Sequence, residues 1–330
     1  MKNIFIILLF LAAVLQTNGQ RIYEQYTKLN DSLRYGYGKN DFLPYGSRGY
    51  TLILPGTTNS TSGMILMLDD NKINLQDSSQ KQYICIQSEA NAKDFAVLYI
   101  STGIPVDFYF SESSVFFVDS VLSNVFVKYG LPNKNIFLLG AMVSGYRALK
   151  YIEFCKNGKS KFNPDIKGVV LSESSIDLVR QWYECQKQVR DHLSDIAFFE
   201  GNFITYLFKS NLKETPVTDI DKYIEASPYS YFDTKMKKSV LFKDLAIRAY
   251  TYADLDYWFS APGQGVYDSN YPDMSGFINE QKLAGNKKSE LIVFSGNPAD
   301  KHKTEMRKQS STWDLVDKKE LMNWITNQAK

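Results

Sequence analysis

Apolar residues along this chain fall into two alternating kinds of segment. Short unbroken runs occur at Tyr50 to Pro55, Met64 to Leu68, Phe95 to Ile100, Asn135 to Gly140, Ile166 to Leu171, Leu245 to Tyr250 and Leu291 to Phe294. Their length and lack of alternation predict strands covered on both faces. Between them, apolar residues recur at helical spacing: Gln76 to Lys93, Val115 to Tyr129, Gly145 to Cys155, Ser275 to Leu283 with Gly285 as its stop, and Trp313 to Ile325 with Leu315, Val316, Leu321 and Ile325 as an inner stripe. Strands alternating with helices of this length predict an α/β architecture with a mostly parallel sheet, because each parallel pair needs a crossover. Two expectations are local. The polar Gly-Thr-Thr-Asn-Ser-Thr-Ser-Gly loop after Pro55 reads as a hairpin linking the first two runs, and Gln20 to Ser47 reads as a short helix with an irregular lead-in. From Ile176 to Lys238 the pattern is helical, aromatic and free of strands, which predicts a helical cap at about 176–240 inserted between two strands.

The most informative stretch is Asn135 to Leu149. Its apolar run breaks at Gly140, crosses Ala141-Met142-Val143-Ser144-Gly145 and resumes as a helix with Tyr146, Ala148 and Leu149. This strand, turn and helix resembles the nucleophile elbow of the α/β-hydrolase superfamily, whose G-x-S-x-G pattern puts a reactive serine on the turn. With Gly140 and Ser144 in the small-residue places, Met142 holds the position of that serine. A thioether has no ionisable proton and cannot attack an acyl carbon. The resemblance covers most of Tyr50 to Trp324 and implies an α/β-hydrolase-like, mostly parallel central sheet with helices on both faces and a cap.

It also implies where the other groups of an acyl-transfer site would lie. The acid place, in a turn after the strand Leu245 to Tyr250, falls on Asp254, with Asp256 two residues on. The base place, in the turn Gly296-Asn-Pro-Ala299, falls on Ala299. The chain holds two histidines, His192 in the cap segment and His302 between two lysines. Oxyanion donors would come from the Val143 N–H and from the turn Asp69-Asp70-Asn71, where carboxylates oppose a developing negative charge unless they point away. The expectation is a pseudohydrolase that binds a small molecule or a protein under its cap. The alternative is an active serine esterase or peptidase with a displaced triad of Ser144 or Ser172, Asp254 and His302. A third reading, a structural or envelope-associated domain, leaves the interior filled. The cap aromatics either line a pocket with Met142 and Trp258 or pack the cap onto the sheet.

Composition adds limits. The 330 residues are 44% hydrophobic and 14% aromatic, enough for one sizeable core. A charge of +2 from 38 basic and 36 acidic residues spread along the chain gives no basic face for nucleic acid. No metal-ligand spacing of Cys and His is present in the sequence, and no cofactor is implied. At the N-terminus, Lys2, the apolar Ile4 to Leu15 and the small residues Thr17 and Gly19 form a signal-peptide pattern with cleavage expected after Gly19. That apolar stretch is too short for a lasting membrane anchor, and no cysteine follows the cleavage point, so a secreted or periplasmic protein is expected. Cys85, Cys155 and Cys185 are sparse and odd in number, which favours free thiols over a disulfide framework. Asn30 and Asn59 begin glycosylation sequons that matter only in a glycosylating host.

Overall fold

The sheet follows directly from the unbroken apolar runs. A computed structural model describes residues 14–17, 20–56, 61–75, 86–253, 263–295 and 312–330. Eleven strands are described: β1 (Val14–Thr17), β2 (Gln20–Lys28), β3 (Ser32–Arg34), β4 (Phe42–Pro44), β5 (Ser47–Leu54), β6 (Gly63–Asp69), β7 (Phe95–Ser101), β8 (Ile136–Ala141), β9 (Ile166–Ser172), β10 (Ala246–Tyr252) and β11 (Ser289–Phe294). Nine of them form one sheet in the order β1-β2-β5-β7-β6-β8-β9-β10-β11. From β7 to β11 every neighbouring pair is parallel, while β1, β2, β5 and β7 pair antiparallel in turn.

Both faces of the parallel part are buried, which explains why its strands lack polar alternation. On β6, Met64, Leu66 and Leu68 join one apolar cluster, and Ile65 and Met67 join the other. The first cluster is closed by α2 (Glu112–Tyr129), α3 (Val143–Lys156) and α8 (Tyr271–Leu283). The second is closed by α1 (Ile86–Asn91), α9 (Thr312–Leu315) and α10 (Lys318–Gln328). Between β9 and β10 the chain forms α4 (Leu178–Asp191), α5 (Asp195–Leu212), α6 (Ile220–Ala226) and the single turn α7 (Ser239–Phe242). Phe208 of α5 is fully buried, 5.1 Å from the Phe108 ring and 5.8 Å from Phe110, and fastens this helical insertion to the segment after β7.

Several sequence expectations need correction. The first two apolar runs are not a hairpin, because β7 lies between β5 and β6. Placing β6 at the centre buries both its faces, a gain that outweighs the local turn signal. Gln20 to Ser47 contains no helix: β2 pairs with β5 from Arg21 opposite Leu54 to Lys28 opposite Ser47, and β3 and β4 form a small hairpin. Ile, Tyr and Thr in β2 suit a pleated surface better than a helix. The terminal helix breaks at Val316 and Asp317, where the Asp317 carboxylate accepts the Lys319 and Glu320 N–H groups and caps α10. Leu315, expected inside, is 48% exposed, and Trp313 takes the buried place. Of the helix expected over residues 76–93, residues 76–85 lie outside the described residues. Cys155 and Cys185 are free thiols, Cys155 half-buried and Cys185 buried. Cys85 lies outside the described residues.

Candidate functional site

The elbow is built by two close backbone approaches. β8 ends at Ala141, Met142 takes φ 51° and ψ −125°, and α3 starts at Val143. Left-handed backbone at a non-glycine residue costs about 1–3 kcal/mol and persists only when the surroundings impose it. Here the Met142 N–H donates to the Ser172 carbonyl at 2.9 Å, and the Gly145 N–H donates to the Met142 carbonyl at 3.1 Å. A Cβ on Gly140 would lie 2.4 Å from the Gly145 nitrogen, and one on Gly145 would lie 1.9 Å from Ser174 Oγ. The sharp turn from strand to helix therefore requires glycine at 140 and also at 145, one residue past the small-residue place held by Ser144. The turn presents Met142 outward, 57% exposed.

The other candidates sit as follows. Val143 is the first residue of α3, where N–H groups have no intrahelical acceptor. Ser144 lies in the first turn of that helix, and its hydroxyl accepts from Arg147 Nη1 at 3.4 Å. Ser172 ends β9 with its hydroxyl buried and, among the described residues, without a hydrogen-bond partner. His192 closes α4, exposed, with Nε2 3.0 Å from Asp195 Oδ1 and its ring 4.6 Å from Phe198. Asp254, Trp258, Ala299 and His302 lie outside the described residues. The strands that precede them end side by side, Tyr252 of β10 opposite Phe294 of β11.

The acidic turn after β6 is balanced by a side chain that the sequence reading missed. Arg147, one turn into α3, is 2% exposed and lies 3.5 Å from Asp69 Oδ1 and 3.3 Å from Asp70 Oδ2. Its Nε donates to the Asp107 carbonyl at 2.6 Å. The only sequence signal was an arginine at a position where its helical neighbours Tyr146, Ala148 and Leu149 are all buried. Burial pushes Asp69 up to about 7, with Arg147 opposing the rise and Asp70 adding to it. Burial would raise Asp70 too, but Arg147, a hydrogen bond from Asp69 and the Val106 N–H hold it below the usual carboxylate range. Both carboxylates turn an oxygen toward Arg147.

Glu173, directly after β9 with φ 44°, is a second group missed in the sequence. Its Oε1 accepts the Thr251 hydroxyl at 2.8 Å, the Thr312 hydroxyl at 3.2 Å and the Tyr252 N–H, tying β9, β10 and α9 together. Burial raises its pKa despite those three donors.

Comparison with solved structures bears on the fold. The chain is similar to the crystal structure of Mycobacterium tuberculosis MPT51, with a TM-score of 0.53, 11% identity, and coverage of 93% of this chain and 99% of that one. It is also similar to a hormone-sensitive lipase from a metagenome library, with a TM-score of 0.50, 12% identity, and coverage of 93% and 86%. This chain has the α/β-hydrolase fold. No protein-family model matches it, and no curated protein sequence does.

In this α/β-hydrolase fold one sizeable cavity is lined without any residue of the elbow. A cavity of about 610 Å³ lies between α4, the segment around Tyr231 and the residues leading into α8. Met142, which one of the two readings put in a pocket wall, is not among the described residues that line this cavity. The floor is an ion cluster: Arg180 pairs with both oxygens of Asp273 and with Glu184 Oε2 at 2.7 Å. Asp177 caps α4, accepting the Val179 and Arg180 N–H groups. Burial and the neighbouring Asp273 push Asp177 up to about 6. Among the described residues no group of three or more His, Cys, Asp or Glu is placed to hold a metal ion, and no helix is long and apolar enough to cross a membrane.

Proposed function

We propose that this α/β-hydrolase-fold protein is an exported, catalytically silent member of its fold that works by binding a ligand or partner beside its helical cap. The observation that supports this most directly is the thioether of Met142 at the apex of an otherwise preserved elbow. Carbon and sulfur at that apex supply no nucleophile for acyl transfer, however well the backbone is set. Arg147 supports the same reading: it is committed to Asp69, Asp70 and Asp107, so it offers no free positive charge to a developing oxyanion. A roomy cavity next to the cap favours binding over a purely structural domain. Export rests on the leader pattern of residues 1–19 alone.

The competing displaced-triad reading uses Ser144 or Ser172 with Asp254 and His302. A hydroxyl fixed in the first turn of a helix and one sealed in the sheet both argue against it. Treatment with a fluorophosphonate probe and a panel of short-chain and aryl esters tests the proposal. No labelled serine and no turnover above background is the expected result. Stoichiometric labelling of any serine, located by peptide mass spectrometry, would overturn it.

A further inference from the structure

The walls of the 610 Å³ cavity carry more chemistry than a generic pocket. Five aromatic side chains among the described residues line it: Tyr183, Tyr231, Phe232 and Tyr267, all substantially exposed, and Tyr229, which is buried. The charged groups on the same walls are four carboxylates, Asp177, Glu184, Asp268 and Asp273, against two cations, Arg180 and Lys187. Both cations are already neutralised within the wall. Arg180 is held by Asp273 and Glu184, and Lys187 lies 2.5 Å from Asp268 Oδ2. Among the described residues the walls therefore carry two more carboxylates than cations.

The hydrogen-bonding capacity of the ion cluster is largely spent as well. Arg180 also donates to Asn270 at 2.7 Å, to the Tyr267 carbonyl at 3.2 Å and to Ser175 at 3.3 Å. Asp273 Oδ2 accepts the Ile176 and Asp177 N–H groups, and Asp177 accepts Ser230 and the Tyr231 N–H besides its two capping bonds. A neutral ligand would have to find its polar partners outside that cluster. Aromatic faces beside this excess of carboxylates suit a cation with an apolar shell, which is held by ring quadrupoles and by Coulomb attraction together.

The geometry points to this cavity as a binding site for a small organic cation, a quaternary or tertiary ammonium compound. This inference rests on the binding role proposed above, and it adds the site and the chemical class of the ligand.

The test compares choline with 3,3-dimethylbutan-1-ol, which has the same shape with carbon in place of the charged nitrogen, by isothermal titration of the full-length protein. Choline is expected to bind at least about tenfold more tightly, and its affinity is expected to fall as salt rises. Tyr231→Leu and Tyr267→Leu are each expected to weaken choline binding about threefold or more. Both rings are 79% exposed, so their loss costs the fold little, and unchanged thermal unfolding of each variant confirms that. Equal binding of the two probes, no choline binding at millimolar concentration, or full affinity in both variants overturns the inference. Those outcomes leave the catalytic silence of the elbow untouched. Hydrolysis of acetylcholine would instead overturn the silent-elbow reading while leaving cation binding in place.

Discussion

At the scale of single residues, the elbow is a steric device whose shape rests on two glycines. Gly145 faces Ser174 so closely that an added Cβ would lie 1.9 Å from Oγ and 2.7 Å from Cβ. Gly145→Ala is expected to destabilise the protein by about 1–3 kcal/mol, the usual cost of overpacking. Adding Ser174→Gly should recover part of that loss, and urea unfolding of the double-mutant cycle checks it; strictly additive costs would refute the contact. Arg147 offers a second test, because it is the buried counter-charge of two carboxylates. Arg147→Met is expected to cost about 3–5 kcal/mol, since breaking a buried pair strands the other partner.

The same cluster gives a pH dependence. Asp69 has a folded pKa of about 7, above its ordinary 3.8, so the folded protein holds that proton more tightly. The associated stability is complete below the unfolded value and is lost as pH rises through about 7. Asp70 is shifted the other way, so its contribution is lost only as the solution becomes strongly acidic. Asp177, pushed up to about 6, acts in the same direction as Asp69. Thermal stability is therefore expected to rise on going from about pH 7.5 to about pH 5.5, and Asp69→Asn should flatten the rise. Asp69 keeps 38% of its side-chain surface, and water there screens part of the effect.

At the scale of elements, carboxylates join pieces distant in the chain. Asp273 in the first turn of α8 binds the N–H groups of Ile176 and Asp177 and the guanidinium of Arg180, and so fixes the start of α4 against α8. Asp273→Ala is expected to cost about 3–5 kcal/mol and to lower the midpoint of chemical unfolding. Asp317 is a simpler case, a cap on α10 that accepts two N–H groups. Asp317→Ala should cost about 1 kcal/mol by the same measurement. These elements differ in how visible they were. The helical periods of α2, α3 and α8 and the apolar runs of β6 to β9 could be read from the sequence. The break between α9 and α10 could not, because the inner stripe continues in register across it while the Asp317 cap interrupts the backbone.

At the scale of the whole molecule, the sheet places the elbow at its centre and the aromatic cavity to one side, on the flank formed by α4 and the lead into α8. The chain order says nothing about this separation. It arises because the cavity walls come from three stretches, around residues 177–187, 229–232 and 263–273, that meet only after the insertion packs onto the sheet. The leader makes a prediction at this scale too. If the protein is exported, cleavage after Gly19 removes β1 and leaves β2 as the edge strand, still paired to β5 along its whole length. Intact-mass measurement of protein from the culture medium or periplasm should find Gln20 at the N-terminus, and a retained Met1 would contradict the export proposal.

The amino-acid sequence alone determined the α/β alternation, the buried central strands and the chemistry of Met142, because periodicity and side-chain identity are local properties that no packing can change. Tertiary structure decided the rest. The insertion of β7 between β5 and β6 and the turning of Asp69 and Asp70 onto Arg147 depend on partners 30 to 80 residues away. The meeting of Arg180 with Asp273 is of the same kind. Coulomb attraction and burial act through space, so a sequence shows which groups carry charge and only the folded chain shows which of them meet.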